Sequence, residues 1–290
     1  MGELRFGVDI KETRKYMRKN KFTALANIGC VLISFIVLLP FMWMLATSLR
    51  LPVDSFRLPP SFFPTVFHVD NYVQVFRKVP LLKFIGNSFF VSVTATLLQC
   101  MITCMAAYAF ARLQFKGKNI IFLLLLSGLM IPVQSTVIPI FMLYKQIGLM
   151  DSRLGVILPL LINPLGIFIM KQFMESIPGS YDEAAKLDGA GHFAILFRVI
   201  LPMTKPAIVT VAVLSFVSSW NDFYRPLIFI TSSEKMTLPL GMTALSGLMR
   251  NTSISIILAG IIISAIPLIL IYSLGQKYFV EGISLSGLKG

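Results

Sequence analysis

The sequence predicts an all-α membrane protein of six transmembrane helices, with its N- and C-termini in the cytoplasm. Three observations carry that expectation. The 290 residues are 56% hydrophobic and only 13% charged, with a mean hydropathy of +0.80. The apolar residues gather into runs that suit a hydrocarbon core about 30 Å thick, which roughly 20 helical residues cross. Seven Lys and Arg residues crowd the first 21 positions, and such clusters stay on the cytoplasmic side. Length alone would allow two domains, but the runs extend along the whole chain, so residues 1–290 read as a single transmembrane domain.

In chain order, the six runs are residues 24–48, 82–111, 119–140, 154–172, 207–230 and 254–276. The first follows Arg5, Lys11, Arg14, Lys15, Arg18, Lys19 and Lys21 and has no small-residue cleavage site, so it reads as a retained span rather than a signal peptide. Pro132 and Pro139 interrupt the third, and Pro159 and Pro164 the fourth. Such breaks need neighbouring helices or a cavity to satisfy the freed carbonyls. With the N-terminus inside, the cytoplasmic segments are 1–23, 112–118, 173–206 and the tail after 276; counting Lys171, they hold 16 of the 26 Lys and Arg residues. The first outer segment, 49–81, is rich in Pro and aromatics and reads as lying in the membrane interface. The last, 231–253, is apolar and flexible around residues 238–247, a composition that folds back on the membrane or meets a partner.

The polar interruption at 173–206 is the stretch that needs the most explaining. Ser180 followed three residues later by Glu183 forms the pattern of a capping box, which starts a helix at Tyr181. Asp182 and Glu183 then occupy the first turn, where the helix dipole favours acids, and Gly189 and Gly191 supply the stop. Ala184 and Ala185 give this two-turn helix a low face that another backbone can approach. A second short helix is expected from His192 to Ile200, ending near Leu201 because Pro202 disfavours helix in the residue before it. On physical grounds alone the segment is either a docking surface or an ordinary capped connection.

Several function classes are excluded at this stage. The net charge of +13 suggests nucleic acid at first sight, yet no basic stripe with interleaved aromatics lies in a soluble segment. Cys30, Cys100 and Cys104 all fall inside apolar runs, without disulfide or metal spacing. No phosphate-cradling Gly-x-x-x-x-Gly-Lys-Ser/Thr loop is present; the stretch 282–289 only imitates it. His68 and His192 fall on opposite sides of the membrane, which removes a histidine-based metal site or catalytic triad. Away from the span ends, only Asp222 and Arg225 are charges within a span, spaced to pair with each other, whereas ion-coupled carriers keep intramembrane relays.

The polar residues inside the spans are mostly amides. At ~1.5 Å per residue, Asn221 and Gln134 lie about 22 Å from the inner surface and Asn87 about 8 Å from the outer one, which is a single depth. Amides beside Trp220, Phe223 and Tyr224 suit a neutral, hydroxyl-rich ligand; alternatively the aromatics form an interfacial belt and the amides hold helices together.

Glu183-Ala184-Ala185, with Asp188-Gly189-Ala190 and then Phe197, Ile200, Pro202 and Pro206, resembles the EAA motif of the membrane subunits of ATP-binding-cassette (ABC) importers. The likeness extends to Met130–Ser135, to Trp220-Asn221-Asp222-Phe223, and to the tail from Gln276 to Gly290. It is similar to the carbohydrate-uptake branch, and within that to the smaller maltose-transporter permease. The resemblance implies a type I ABC importer permease fold in a bacterial or archaeal cytoplasmic membrane. It further implies a second, homologous permease subunit, two ATPase subunits holding ATP and Mg, and an extracytoplasmic solute-binding protein. This chain would bind no cofactor and be no enzyme. By the same likeness, Glu183, Ala184, Ala185, Asp188, Gly189 and Ala190 couple to the ATPase, and Gly287, Leu288, Lys289 and Gly290 reach towards it. Leu240, Gly241, Met242 and Thr243 would probe the binding protein, and Asn221, Asp222, Trp220, Gln134 and Asn87 would line the pathway. The substrate class implied is a sugar or oligosaccharide, with a glycerol phosphate ester, a polysaccharide or an ion-coupled secondary carrier as alternatives.

Overall fold

The computed structural model describes residues 10–53, 66–247 and 253–287. Leu288, Lys289 and Gly290 of the expected tail lie outside them, as do residues 54–65 of the first outer segment and 248–252 of the last. Among the described residues there is no strand. Contacts divide the chain into two units, Met1–Asn71 with Ser253–Ala259, and Tyr72–Thr252 with Gly260–Gly290.

The first unit is dominated by α1 (Ile10–Ser48), whose stretch Ala26–Ser48 is long and apolar enough to cross a membrane. Val31, Ile33, Phe35 and Ile36 on it are all more than half exposed, so this helix offers its apolar surface outward. The chain reverses after Ser48 through a fixed turn. The Asn71 amide donates to the carbonyls of Ser48 (2.8 Å) and Arg50 (2.7 Å), and the His68 N–H donates to Leu49 (2.7 Å). A short helix α2 (Asp70–Lys78) follows, with Asp70 in its first turn and Arg77 and Lys78 in its last, the arrangement the helix dipole favours.

The second unit is built on α3 (Leu81–Arg112), 32 residues that pack along both of its main neighbours described below. Its buried face repeats every three or four residues through Phe84, Ser88, Val91, Ala95, Gln99, Thr103 and Ala107. The small residues in that series let backbones approach, as membrane helix packing requires. Next come α4 (Lys118–Ser127), extended by one tight turn over Gly128–Met130, and α5 (Val133–Ile147). These two meet at 101°. The break falls before Pro132, where Ile131 is extended (φ −87, ψ 114), while Pro139 is carried inside α5. The expected third span is therefore a broken helix with its corner at one of the two prolines.

After α6 (Arg153–Ile157) and the turn Leu158–Leu160, α7 (Pro164–Ser176) departs at 44°. Pro164 opens α7 at a position where no N–H is needed, and the Asn163 side chain caps the Gly166 N–H at 2.9 Å. Then come α8 (Ser180–Leu187) and the helix α9 (His192–Met203). An 86° corner at Thr204 leads into α10 (Lys205–Trp220), followed by α11 (Tyr224–Phe229), α12 (Leu238–Gly247) and α13 (Ile254–Gly287). The principal neighbours of α3 are α10 and α7. Among the described residues, three single helices and three bent pairs pass as membrane spans by length and composition, giving six when each pair counts as one.

Two expectations about elements need correcting. The fifth span stops at Trp220 rather than 230, because residues 221–223 leave the helix before α11 begins. The outer segment 231–253 is not a flexible loop around 238–247: those residues form α12, and its Leu238, Leu240 and Leu245 are buried. Gly241 is the reason α12 can lie so close to α3, since an added Cβ would overlap the Phe84 ring. Apolar clusters hold this unit. One joins Ala107 and Phe110 of α3 to Met170 and Met174 of α7, Ile195 and Ile200 of α9, and Val211 of α10. Another joins Val91 and Ala95 to Val156, Ile157, Ile230 and Leu240.

Candidate functional site

The segment joining α7 to α10 is a short helix held firmly on one side and open on the other. Helix α8 begins at Ser180, and Gly179 before it is already helical (φ −64, ψ −21). The expected capping box is absent for that reason: Ser180 makes no cap, and the first N–H groups turn back on backbone, Asp182 and Glu183 both donating to the Gly179 carbonyl (3.0 and 3.1 Å). The stop is as expected. Gly189 takes φ +80, its N–H donates to the Lys186 carbonyl at 3.0 Å, and Ala190 N–H donates to Ala185 at 2.9 Å.

Asp182 is 8% exposed and faces Arg112 at the end of α3, with carboxylate Oδ2 3.3 Å from guanidinium Nε. The Nε–H is not aligned for a hydrogen bond, so this attraction is coulombic, while Arg112 Nη2 donates to the Ile177 carbonyl at 2.8 Å. Removing one partner of a buried pair strands the other charge, at a cost of about 3–5 kcal/mol. One turn earlier on α3, the Tyr108 hydroxyl lies 3.3 Å from His192 Nδ1, with the two rings edge to face. A cavity of about 220 Å³ lies among Tyr108, Arg112, Asp182, Glu183, Lys186 and His192.

The rest of α8 is open. Glu183, Ala184, Lys186, Leu187, Asp188 and Gly189 are exposed, Leu187 at 90%, and Phe193 beyond the turn is 70% exposed. Ala185 and Ala190 turn inward instead and pack on the first apolar cluster. The expected flat face of Ala184 and Ala185 is thus divided, one alanine outward and one inward.

Helix α9 carries the joint into α10. It does not end near Leu201; it runs to Met203, because residues 195–200 widen into a π turn that shifts the hydrogen-bonding pattern ahead of the Pro202 ring. The corner is closed by Thr204, whose hydroxyl donates to the carbonyls of Ile200 (3.1 Å) and Leu201 (3.2 Å), and Pro206 then opens α10.

The residues expected along a pathway are placed differently from one another. Trp220 and Asn221 border one cavity of about 240 Å³, together with Leu238, Pro239, Met242 and Ser264. Trp220 is 2% exposed, stacked on Phe216 and donating from Nε1 to the Ser264 carbonyl at 3.3 Å, so it is core rather than an interfacial belt. Asn221 is exposed and donates to the Val217 carbonyl at 3.0 Å. Asp222 and Arg225 pair at 3.0 Å, as their spacing suggests. Gln134 is exposed on α5. Asn87 does not face an open path: it is 4% exposed, and its amide donates to the carbonyls of Glu234 (2.8 Å) and Met236 (2.9 Å). Of the expected probe, Leu240 and Gly241 are buried against α3 and its neighbours, while Thr243 is exposed. Gly287 ends α13.

Two groups escaped the sequence reading. Arg112 was legible only as one of several basic residues, although its place at the last turn of a long span marked it as a charge near the polar loop. Asp151, in the turn before α6, has φ +51 and gathers the N–H groups of Thr231 and Ser232, the Ser232 hydroxyl at 2.6 Å and Lys235 Nζ at 2.8 Å. The Lys235 ammonium first, then the Ser232 and Thr231 donors, hold its carboxyl well below the usual carboxylate range. Among the described residues no group of His, Cys, Asp and Glu is arranged to hold a metal ion.

Residues 99–285, which include the whole of this joint, match the family described as the binding-protein-dependent transport system inner membrane component. The chain belongs to that family. It is a permease subunit of an ABC transporter, a multi-pass transport component rather than an enzyme. Over 269 residues it is 32% identical to the arabinooligosaccharides transport system permease protein AraQ of Halalkalibacterium halodurans, covering 92% of this chain and 96% of the relative. It is 33% identical over 273 residues to the trehalose/maltose transport system permease protein MalG of Thermococcus litoralis, covering 91% and 95%. The fold is that of a chain in the crystal structure of a bacterial ABC transporter importing the acidic polysaccharide alginate, at TM-score 0.77 and 23% identity, covering 90% of this permease and 98% of that chain. A chain in the crystal structure of a bacterial alginate ABC transporter in complex with an alginate pentasaccharide-bound periplasmic protein is similar at TM-score 0.54 and 15% identity, covering 89% of this permease and 94% of that chain.

Proposed function

We propose that this permease forms half of the translocation pathway of an ATP-driven importer for a sugar or oligosaccharide in a cytoplasmic membrane. The observation that carries the proposal is the joint at 177–204: α8 is clamped through Asp182 and leaves Glu183, Leu187 and Asp188 exposed. A 90% exposed Leu on a two-turn helix, followed six residues later by a 70% exposed Phe193, suits a protein partner better than water. The partner is the ATPase subunit, one of two that bind ATP and Mg. Residues 181–190 are the piece that follows its movement, and the rigid π turn and Thr204 corner pass that movement to α10.

A second, homologous permease completes the pathway, and an extracytoplasmic binding protein delivers the substrate. The exposed end of α12 near Thr243 is the part of the 231–253 segment available to that protein, since Leu240 and Gly241 are occupied within the chain. Oligosaccharide is the ligand class because the relatives matched along nine-tenths of the chain carry arabinooligosaccharides, trehalose and maltose. Ion coupling is disfavoured because Asp222 and Arg225, just past the end of α10, satisfy each other and leave no unpaired relay there.

The proposal is tested by reconstituting the permease pair, the ATPase and the binding protein in vesicles and following labelled arabino- and malto-oligosaccharides. Uptake that requires ATP and the binding protein is the expected result. Uptake driven by an ion gradient without ATPase subunits would overturn it.

A further inference from the structure

The last two turns of α3 touch the α7–α10 joint at three places. Arg112 meets the chain just before α8 at the Ile177 carbonyl and meets α8 itself at Asp182, while Tyr108 meets the start of α9 at His192. Near its other end, α3 holds a second segment in the same manner. Asn87 donates to the Glu234 and Met236 carbonyls, and the Ser88 hydroxyl accepts the Leu238 N–H at 2.6 Å, so the stretch leading into α12 is fastened there. Between Asn87 and Arg112 the helix is unbroken and contains no proline. Twenty-five residues at ~1.5 Å each make a rod of about 37 Å.

Both ends of that rod are attached by buried polar side chains, and such attachments break at a cost rather than slide. The Arg112 and Asp182 side chains are 13% and 11% exposed, and Asn87 is 4% exposed. By contrast, the three spans made of helix pairs are bent by 44° to 101°, and a bent helix transmits a push less directly than a straight one.

We propose that α3 is the element that links the ATPase-facing helix α8 to the 234–238 segment held near the other end of α3, with Arg112 as the positioning residue that fastens it to α8. This rests on the importer reading. Arg112 touches neither ATP nor substrate; it acts by keeping α8 on α3, so that displacement of α8 moves the rod and the segment bound to Asn87 and Ser88. Coupling between distant sites commonly amounts to 5–150-fold, and loss of one attachment is expected to cost about tenfold in uptake per ATP hydrolysed.

The test uses the complete reconstituted transporter and, separately, the full-length permease in detergent. Arg112→Ala lowers uptake per ATP about tenfold. The charge-reversed double variant Arg112→Asp with Asp182→Arg recovers most of that loss, a rescue that mere packing damage would not allow. Lys171→Ala, which removes the Lys171–Glu175 pair on α7, leaves the ratio unchanged. Full coupling in Arg112→Ala, or no recovery in a folded double variant, overturns the proposal. Hydrogen exchange of the permease alone decides the clamp without transport: Arg112→Ala must speed exchange at residues 182–188, and unchanged exchange overturns it. A wild-type complex that takes up nothing with ATP would sink the importer reading instead, leaving the clamp to be decided by exchange.

Discussion

At the scale of single residues, the permease places its charges where they fasten segments rather than where they react. Asp151 is the clearest case, because it ties the turn before α6 to residues 231–235 through two backbone N–H groups, a hydroxyl and an ammonium. Its folded pKa lies below the ordinary carboxylate value, so its stabilising contribution is present above about pH 4 and is lost as acid protonates the folded carboxyl. Asp151→Ala is therefore expected to lower the thermal midpoint of the detergent-solubilised permease at pH 7, with the difference from wild type shrinking as the pH falls below about 4. A deficit that persists unchanged in acid would show that the carboxylate is not the cause. Asn87 teaches the complementary point. Its depth could be read from sequence, but its partners could not, since two backbone carbonyls some 150 positions away leave no residue-type signal.

At the scale of elements, helix propensity and proline position gave most of the answer, and tertiary contact gave the remainder. Pro132, Pro164 and Pro206 each coincide with a break or a helix start. Pro202 does not, because the π turn before it absorbs the steric conflict. The Ser180–Glu183 pattern had the right spacing for a capping box, yet Gly179 was already helical. The backbone took over the cap, and Asp182 turned to Arg112. Helix α12 was hidden because its leucines and glycines read as a loop until Phe84 of α3 is set against Gly241. Gly241→Leu is expected to destabilise the permease by roughly 1–3 kcal/mol through overpacking, seen as a lower thermal midpoint, and Phe84→Ala in the same chain should recover part of it. Equal midpoints for wild type and Gly241→Leu would show that α12 does not lie against α3.

At the scale of the whole molecule, the class was legible from composition alone, since apolar runs of span length and a basic N-terminus leave few alternatives. The joint was legible as well, because its glycines, acids and prolines stand out against an apolar background. The pathway was not: amides at one depth look alike in sequence, whether they line a cavity, as Asn221 does, or are consumed by backbone, as Asn87 is. In the proposed function α8 receives motion from an ATPase and passes it on, and Gly189 and Glu183 report on that without touching the proposed pathway. Proline cannot adopt the φ of +80 that Gly189 uses, and lysine at 183 reverses the charge on the exposed face. The most direct measurement is the ratio of oligosaccharide taken up to ATP hydrolysed in reconstituted complexes bearing Gly189→Pro or Glu183→Lys. The expected result is inserted, assembled protein in which hydrolysis no longer drives uptake; wild-type ratios in both variants would contradict the account.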